Sequence, residues 1–373
     1  MKLCFRLAVG VLAMLLSTTQ AVCAPPALTP SRTPIIIAHR GASGYRPEHT
    51  LAAYELAIQQ GADFIEPDLV ITKDGVLVAR HENEISETTD VARHAEFADR
   101  KVTKKWGSRT VTGWFTEDFT LAELKSLRAV ERLPKLRPKS AEYDGQFEIP
   151  TFEEVLKLAR QQSATVGREI GVYPETKHPT LFEALGLPLE RRLVEILNAH
   201  GYTEPESQIF IQSFEPSSLR KLRPMTQVRL IQLLGDRPPV ELADTETGTP
   251  GPGWLTRAVL DRIKEYADGI GPDKSVIVPR DKNGDLLEPT SVVTDAHAAG
   301  LFVHPYTFRN ENSFLPVPLR QGDKAAPGFG ASHGDYAAEY QLFFRLGVDG
   351  LFSDFPDAAF ASRREFLRTN AAR

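Results

Sequence analysis

The feature that most narrows the fold of this 373-residue chain is a repeated alternation of short apolar runs with helical patterns. Ile35-Ile36-Ile37-Ala38 is β-branched and unbroken, and it lies between Pro34 and Gly41. That is the composition of a parallel strand buried on both faces. Further strand candidates are Phe64–Ile71, Val76–Ala79 after the Asp74-Gly75 turn, Glu169–Glu175, Ile209–Phe214, Val228–Leu234, Gly269–Gly271, Leu301–Tyr306 and Gly350–Ser353. Helical patterns separate them: a helix capped by Thr50 with Leu51, Tyr54, Leu56 and Ile58 on its apolar face, then Phe152–Gln161, Leu189–Ala199, Leu219–Leu222, Leu255–Ala267, Val292–Ala299 and Tyr336–Leu346. Eight strand–helix units predict an α/β fold, a (β/α)8 TIM barrel. A doubly wound open sheet is the alternative. The polar residues near the ends of different strands, His39, Glu66, Glu175, Gln212 and His304, favour the barrel, whose active sites are assembled from many strand ends.

Residues 34–373 are expected to form this barrel. Residues 83–150 break the rhythm and read as an insertion after the second strand unit. The segment holds Trp106, Trp114, Tyr143 and Phe147 and the run Pro134-Lys135-Leu136-Arg137-Pro138-Lys139. A long loop insertion costs little closure entropy and lands beside the barrel mouth, where it can cover the site or select substrate. Residues 316–335 read as a flexible loop. Residues 1–24 have the layout of a secretory signal peptide: Lys2 and Arg6, an apolar Leu7–Leu16 run too short for a bilayer, and small residues at Ala21-Val22-Cys23-Ala24. Cleavage after Ala24 would remove both cysteines, Cys4 and Cys23, and predicts a periplasmic or secreted protein. Lipid anchoring at Cys23 ranks lower because Val22 precedes it. Residues 25–33 form an extended leader. No later segment is apolar enough to be a transmembrane span.

The net charge is −5, and Lys2 and Arg6 are unopposed in the first 24 residues, so the remainder is more acidic still. An acidic body argues against nucleic acid as a partner. Recognition of an anion must come from local groups.

Glu66 and Asp68 stand two apart on a predicted strand, so both point to one face. Two carboxylates facing a barrel interior repel each other and resist burial. One divalent cation resolves this, since Ca²⁺ and Mg²⁺ take carboxylate oxygens. Glu175, in Tyr173-Pro174-Glu175-Thr176-Lys177, can supply a third metal ligand from the neighbouring strand. His39 and His81 bracket the two acids, each placed at the end of its own strand. Such a pair can deprotonate a nucleophile and protonate a leaving alcohol. Arg40 and Lys177 can bind a phosphate, although Arg40 can equally pair with Glu48.

His39-Arg40-Gly41-Ala42, Pro47-Glu48-His49-Thr50, Glu66-Pro67-Asp68-Leu69, Thr72-Lys73-Asp74-Gly75, His81, Tyr173-Pro174-Glu175-Thr176-Lys177, Gln212-Ser213-Phe214, the 266–272 segment, Val303-His304-Pro305-Tyr306 and Gly350-Leu351-Phe352-Ser353-Asp354-Phe355-Pro356 together resemble the glycerophosphodiester phosphodiesterase family, most of all its periplasmic type. The resemblance spans nearly all of the expected mature chain. It implies a metal-dependent barrel enzyme, with Ca²⁺ favoured over Mg²⁺. The implied substrates are small deacylated phospholipids such as glycerophosphocholine and glycerophosphoethanolamine, cleaved to glycerol 3-phosphate and an alcohol. By position it implies metal ligation by Glu66, Asp68 and Glu175, proton transfer by His39 and His81, and phosphate contacts from Arg40 and Lys177. Two positions depart from the pattern: Glu82 stands where Asp is usual after the second histidine, and His49 where Asn is common.

Two other readings share the residue set. A lipid phosphodiesterase of the phospholipase D or sphingomyelinase type would need an apolar rim at the mouth, and the charged insertion argues against one. A non-catalytic glycerophosphodiester-binding protein would need no acid–base pair.

Overall fold

The computed structural model describes residues 33–106, 109–243 and 253–371. The signal-peptide expectation, the lipid-anchor alternative at Cys23 and nearly all of the leader lie outside the described residues.

Eight parallel strands form a closed (β/α)8 barrel. The first strand is β1, Ile35–His39. The second is broken at Pro67, which has no N–H to give a ladder, into β2, Phe64–Glu66, and β3, Asp68–Ile71. A short β4, Leu77–Ala79, folds back antiparallel on β3. An outlying antiparallel hairpin pairs β5, Val102–Trp106, with β6, Arg109–Gly113. The third barrel strand is interrupted in the same way at Pro174, giving β7, Gly171–Val172, and β8, Glu175–Thr176. The remaining strands are β9, Phe210–Ser213, β10, Arg229–Leu234, β11, Gly269–Pro272, β12, Phe302–Val303, and β13, Gly350–Ser353. Lower halves pair in the order β13-β1-β2-β7, and upper halves run β12-β11-β10-β9-β8-β3. Backbone bonds from Asp349 N–H to the Val303 carbonyl (3.0 Å) and from Phe352 N–H to the Pro305 carbonyl (3.0 Å) close the cylinder between β12 and β13.

The Val76–Ala79 strand expected after the Asp74-Gly75 turn is present as β4. This run is not a barrel strand: it hairpins off β3, and the chain leaves it toward the insertion. Within residues 83–150 the β5–β6 hairpin and a Leu121–Ser126 helix with a Thr120/Glu123 capping box supply regular structure. Trp114 is buried there, and its indole N–H donates to the Phe97 carbonyl (2.7 Å). The segment 316–335, expected to be a flexible loop, is clipped in place. The Asn312 amide donates to the Gln321 (2.8 Å) and Phe329 (2.9 Å) carbonyls, and its oxygen accepts from Gln321 N–H (3.0 Å).

Two apolar layers hold the cylinder. Outside, the helices lay residues such as Tyr54, Phe152, Leu193, Leu219, Leu260 and Phe343 against the strands. Inside, Ile37, Phe64, Tyr173, Phe210, Ile231 and Phe352 fill the lower barrel. Tyr173 stacks on Phe210 with ring centroids 4.9 Å apart and meets Phe352 edge-on at 5.1 Å. His304 belongs to this layer rather than to the mouth, correcting its placement among the chemistry-bearing residues. It is buried against Phe210 and Phe302, and its Nδ1 lies 2.9 Å from the Tyr173 hydroxyl.

The inner layer has no slack around Gly171, where a Cβ would lie 2.1 Å from the Phe64 ring. Gly171→Ala is expected to cost ~1–3 kcal/mol, the usual penalty for overpacking a filled core. Urea unfolding checks this: the midpoint should fall with the slope unchanged.

Candidate active site

The carboxyl ends of all eight strands open onto one cavity of about 350 Å³, within the range of small-ligand sites. Its lining includes His39, Glu66, Glu175, Gln212, Leu233, Asp273, Tyr306 and Phe352. Strand register gathers the polar residues into one layer: His39 is level with Glu66, Asp68 with Glu175, and Glu175 with Gln212.

Glu66, Asp68 and Glu175 are all buried and offer carboxylate oxygens within 4.8 Å of one another. Each is held from behind. Glu66 accepts from the Arg40 backbone N–H at Oε2 (2.8 Å) and from Gln212 Nε2 at Oε1 (2.9 Å). Asp68 Oδ2 lies 2.8 Å from His49 Nε2. Lys177 Nζ sits 2.9 Å from Glu175 Oε1 and 4.0 Å from Asp68. Burial and repulsion from Asp68 and Glu175 push the Glu66 carboxyl well above the usual range. Burial likewise raises Glu175 to about 8 against the pull of Lys177. Burial works the same way on Asp68, but Lys177 and His49 outweigh it and keep Asp68 ionised. Three crowded carboxylates with oxygen-only donors, and a buried Gln212 Oε1 that has no partner, fit a hard divalent cation.

His49 is the most informative of the two departures. It is fully buried. Because Asp68 can only accept, His49 Nε2 carries the proton and Nδ1 accepts from the Tyr54 hydroxyl (2.8 Å). The imidazole thus aims Asp68 from outside the acidic cluster.

His39 and His81 both line the cavity. His39 Nδ1 lies 2.6 Å from Asp354 Oδ1. Arg309 and Arg137 hold Asp354 ionised against its burial, so Nδ1 donates, and the lone pair of Nε2 accepts from Arg40 Nε (3.2 Å). His81 Nδ1 lies 3.1 Å from Glu82 Oε1, and the other Glu82 oxygen is 2.9 Å from His178 Nε2. The longer Glu82 therefore still reaches the imidazole. Burial, with Arg40 adding to it, lowers His39 to about 4. Burial, then Arg40 and Lys177, lower His81 to about 3. Both rings are neutral before an anion arrives.

Arg40 pairs with Glu48, as its sequence position allowed. Its Nη1 bonds both Glu48 oxygens at 3.1 Å, and its Nε lies 3.5 Å from Asp68, while the side chain still lines the cavity. The backbone pays for this arrangement locally. Among the described residues the three non-glycine residues with positive φ are Arg40, His49 and His178 (61°, 56° and 48°): Arg40 and His49 bond the acidic cluster, and His178 follows Lys177 and bonds Glu82. Left-handed backbone at non-glycine residues concentrates where geometry serves a site.

Sequence reasoning named all seven of these residues but missed what braces them. Asp354 follows β13, a position where barrel strands deliver chemistry, and that was a usable signal. Arg137 gave none. It comes from the insertion, is buried, and bonds Glu311 (2.7 Å), Asp354 (2.5 Å) and the Ser43 carbonyl (3.0 Å). Arg80, also buried, donates to the carbonyls of Ala79, Thr88, Glu48 and His49.

A closed barrel with a polar, carboxylate-bearing cavity at its carboxyl mouth has the layout of a (β/α)8 enzyme. The chain belongs to the glycerophosphoryl diester phosphodiesterase family, whose family model matches residues 39–358, and it is an enzyme of that kind. It is 41% identical over 335 residues to a glycerophosphodiester phosphodiesterase of Arabidopsis thaliana, covering 86% of this chain and 84% of that one. It is 30% identical over 358 residues to one from Bacillus subtilis, covering 95% and 94%. Among solved structures, an Oleispira antarctica phosphodiesterase in complex with the product sn-glycerol-3-phosphate superimposes with a TM-score of 0.57 at 22% identity, over 88% of this chain and 96% of that one.

Proposed function

We propose that this enzyme hydrolyses small glycerophosphodiesters to glycerol 3-phosphate and an alcohol, with a divalent cation held by Glu66, Asp68 and Glu175. The observation that carries the reading is the cluster of those three carboxylates at a cavity lined by Glu66, Glu175, His39, His81, Arg40 and Lys177. A cation bound there would supply positive charge against a non-bridging phosphate oxygen. Ca²⁺ is favoured over Mg²⁺ because three carboxylates on a shared face suit its larger, more adaptable shell.

Arg40 and Lys177 sit beside that cluster and neutralise the remaining charge on the phosphoryl oxygens. One imidazole takes a proton from the attacking oxygen through Nε2, and its carboxylate partner, Asp354 or Glu82, stabilises the imidazolium. The bond from phosphorus to the head-group oxygen breaks, and the other imidazole, which must have taken up a proton when the anionic substrate bound, gives that proton to the departing oxygen and ends neutral. The attacker is water, or the glycerol 2-hydroxyl by way of a cyclic phosphate that water then opens. The signal-peptide layout supports a periplasmic or secreted enzyme. Among the described residues no helix is long and apolar enough to cross a membrane.

The test measures glycerol 3-phosphate release from glycerophosphocholine with and without a chelator. Release should stop on chelation and return with Ca²⁺. Continued release in excess chelator rejects the metal assignment, and no release under any metal rejects the activity. Binding is checked separately by thermal unfolding. A hundredfold excess of Ca²⁺ over its Kd should add about 2.7 kcal/mol of stability, and Glu175→Gln should blunt that gain.

A further inference from the structure

The acidic cluster occupies only one side of the cavity. The rest of the lining comes from the loops after β11 and β12, which present Lys274, Arg280 and Arg309 beside Tyr306 and Phe314, and from Phe214 after β9. Of these six only Arg309 has a part in the chemistry above, through Asp354. A phosphodiester bound over the carboxylates would project its leaving alcohol toward that wall.

Lys274 Nζ (2.9 Å) and Arg280 Nη2 (3.2 Å) both bond one buried carboxylate, Glu339. Arg309 Nε bonds Asp354 Oδ2 (2.8 Å), which already holds Arg137 and His39. Arg137 takes Glu311 as its second partner. Lys274, Arg280, Arg309 and Arg137 thus share Glu339, Asp354 and Glu311, and Asp273 brings the acids to four, so what the wall has to spare is donor groups rather than net charge: of the Arg309 guanidinium only Nε bonds an acid. Asp273 is the one further acid on this wall, and its Oδ1 is taken by the Ser275 N–H (2.8 Å) and hydroxyl (2.6 Å). Burial lowers Lys274 even with Glu339 beside it, and Arg280 and Arg309 add repulsion, which an anion would relieve.

The aromatic rings do not form a vacant cage for a cation. The Arg309 guanidinium carbon stands 4.5 Å from the Phe314 ring centroid, and Lys177 Nζ stands 5.8 Å from that of Phe214. A quaternary ammonium group needs free ring faces or an uncommitted carboxylate. A phosphate needs guanidinium and ammonium donors, which this wall has.

We propose that Lys274, Arg280 and Arg309 form a head-group subsite for a second phosphate, so that the preferred substrates are glycerophosphodiesters whose leaving alcohol is itself anionic. This rests on the reading that the carboxylate side holds the scissile phosphate. It is tested by comparing kcat/KM for bis(glycerophospho)glycerol and glycerophosphocholine at low ionic strength. The wild-type enzyme should favour the bis-phosphate by roughly tenfold, the worth of one charge-assisted contact. Arg280→Gln should shrink that ratio, mainly through KM for the bis-phosphate, and Arg280→Lys should restore part of it. A wild-type ratio at or below one, or a ratio unmoved in Arg280→Gln, overturns the subsite. Hydrolysis of neither substrate overturns the underlying activity, and the subsite with it.

Discussion

His39→Ala and His81→Ala are each expected to cut turnover by at least ~10²–10⁴-fold, the usual contribution of a positioned acid or base. The loss should fall on kcat, because the groups that would bind the phosphate, Arg40 and Lys177, remain. Folding should survive both changes. Removing His39 leaves Asp354 with Arg137 and Arg309, so no buried charge is stranded. His81 is about a quarter exposed, and Glu82 keeps His178. Unchanged unfolding midpoints with lost turnover would therefore separate chemistry from structure. Near-wild-type turnover in either variant sinks the two-imidazole scheme.

The second large effect belongs to a residue outside the cavity. Arg137→Met should destabilise the fold by ~3–5 kcal/mol, the cost of removing one partner from a buried ionic network. Glu311 would lose its guanidinium partner, and Asp354 would keep only Arg309 and His39. Activity should also drop, since Asp354 is what orients His39. Arg137→Lys should recover only part of both, because an ammonium cannot span Glu311, Asp354 and the Ser43 carbonyl as the guanidinium fork does. Urea midpoints and kcat, read together on both variants, check this. An unchanged midpoint in Arg137→Met would mean the network contributes nothing. Through this residue the insertion braces the catalytic end of the barrel from behind, a role distinct from covering it.

The legible part of the site was the part coded by short spacing. Glu66 and Asp68 declare themselves because two acids at period 2 on an apolar strand have no other comfortable explanation. His39 and Glu175 were readable as polar interruptions at the ends of buried runs. His304 looked identical by that rule and was misplaced. Only the depth of the β12 side chain in the barrel separates an interior aromatic neighbour from a mouth residue. Leu77–Ala79 was legible as a strand after a tight turn, but its direction of pairing was not, since three apolar residues look the same in a parallel strand and in an antiparallel return.

The sequence by itself determined the eight-fold alternation, the carboxylate pair and the residue types at the strand ends, because periodicity and burial cost act within a few neighbouring residues. Tertiary structure decided the rest. The level of Asp68 with Glu175, the hold of His49 on Asp68, and the Glu311–Arg137–Asp354–His39 chain join residues between 19 and 315 positions apart. Such contacts are fixed by how the cylinder closes and where its loops return, and no local pattern encodes that distance.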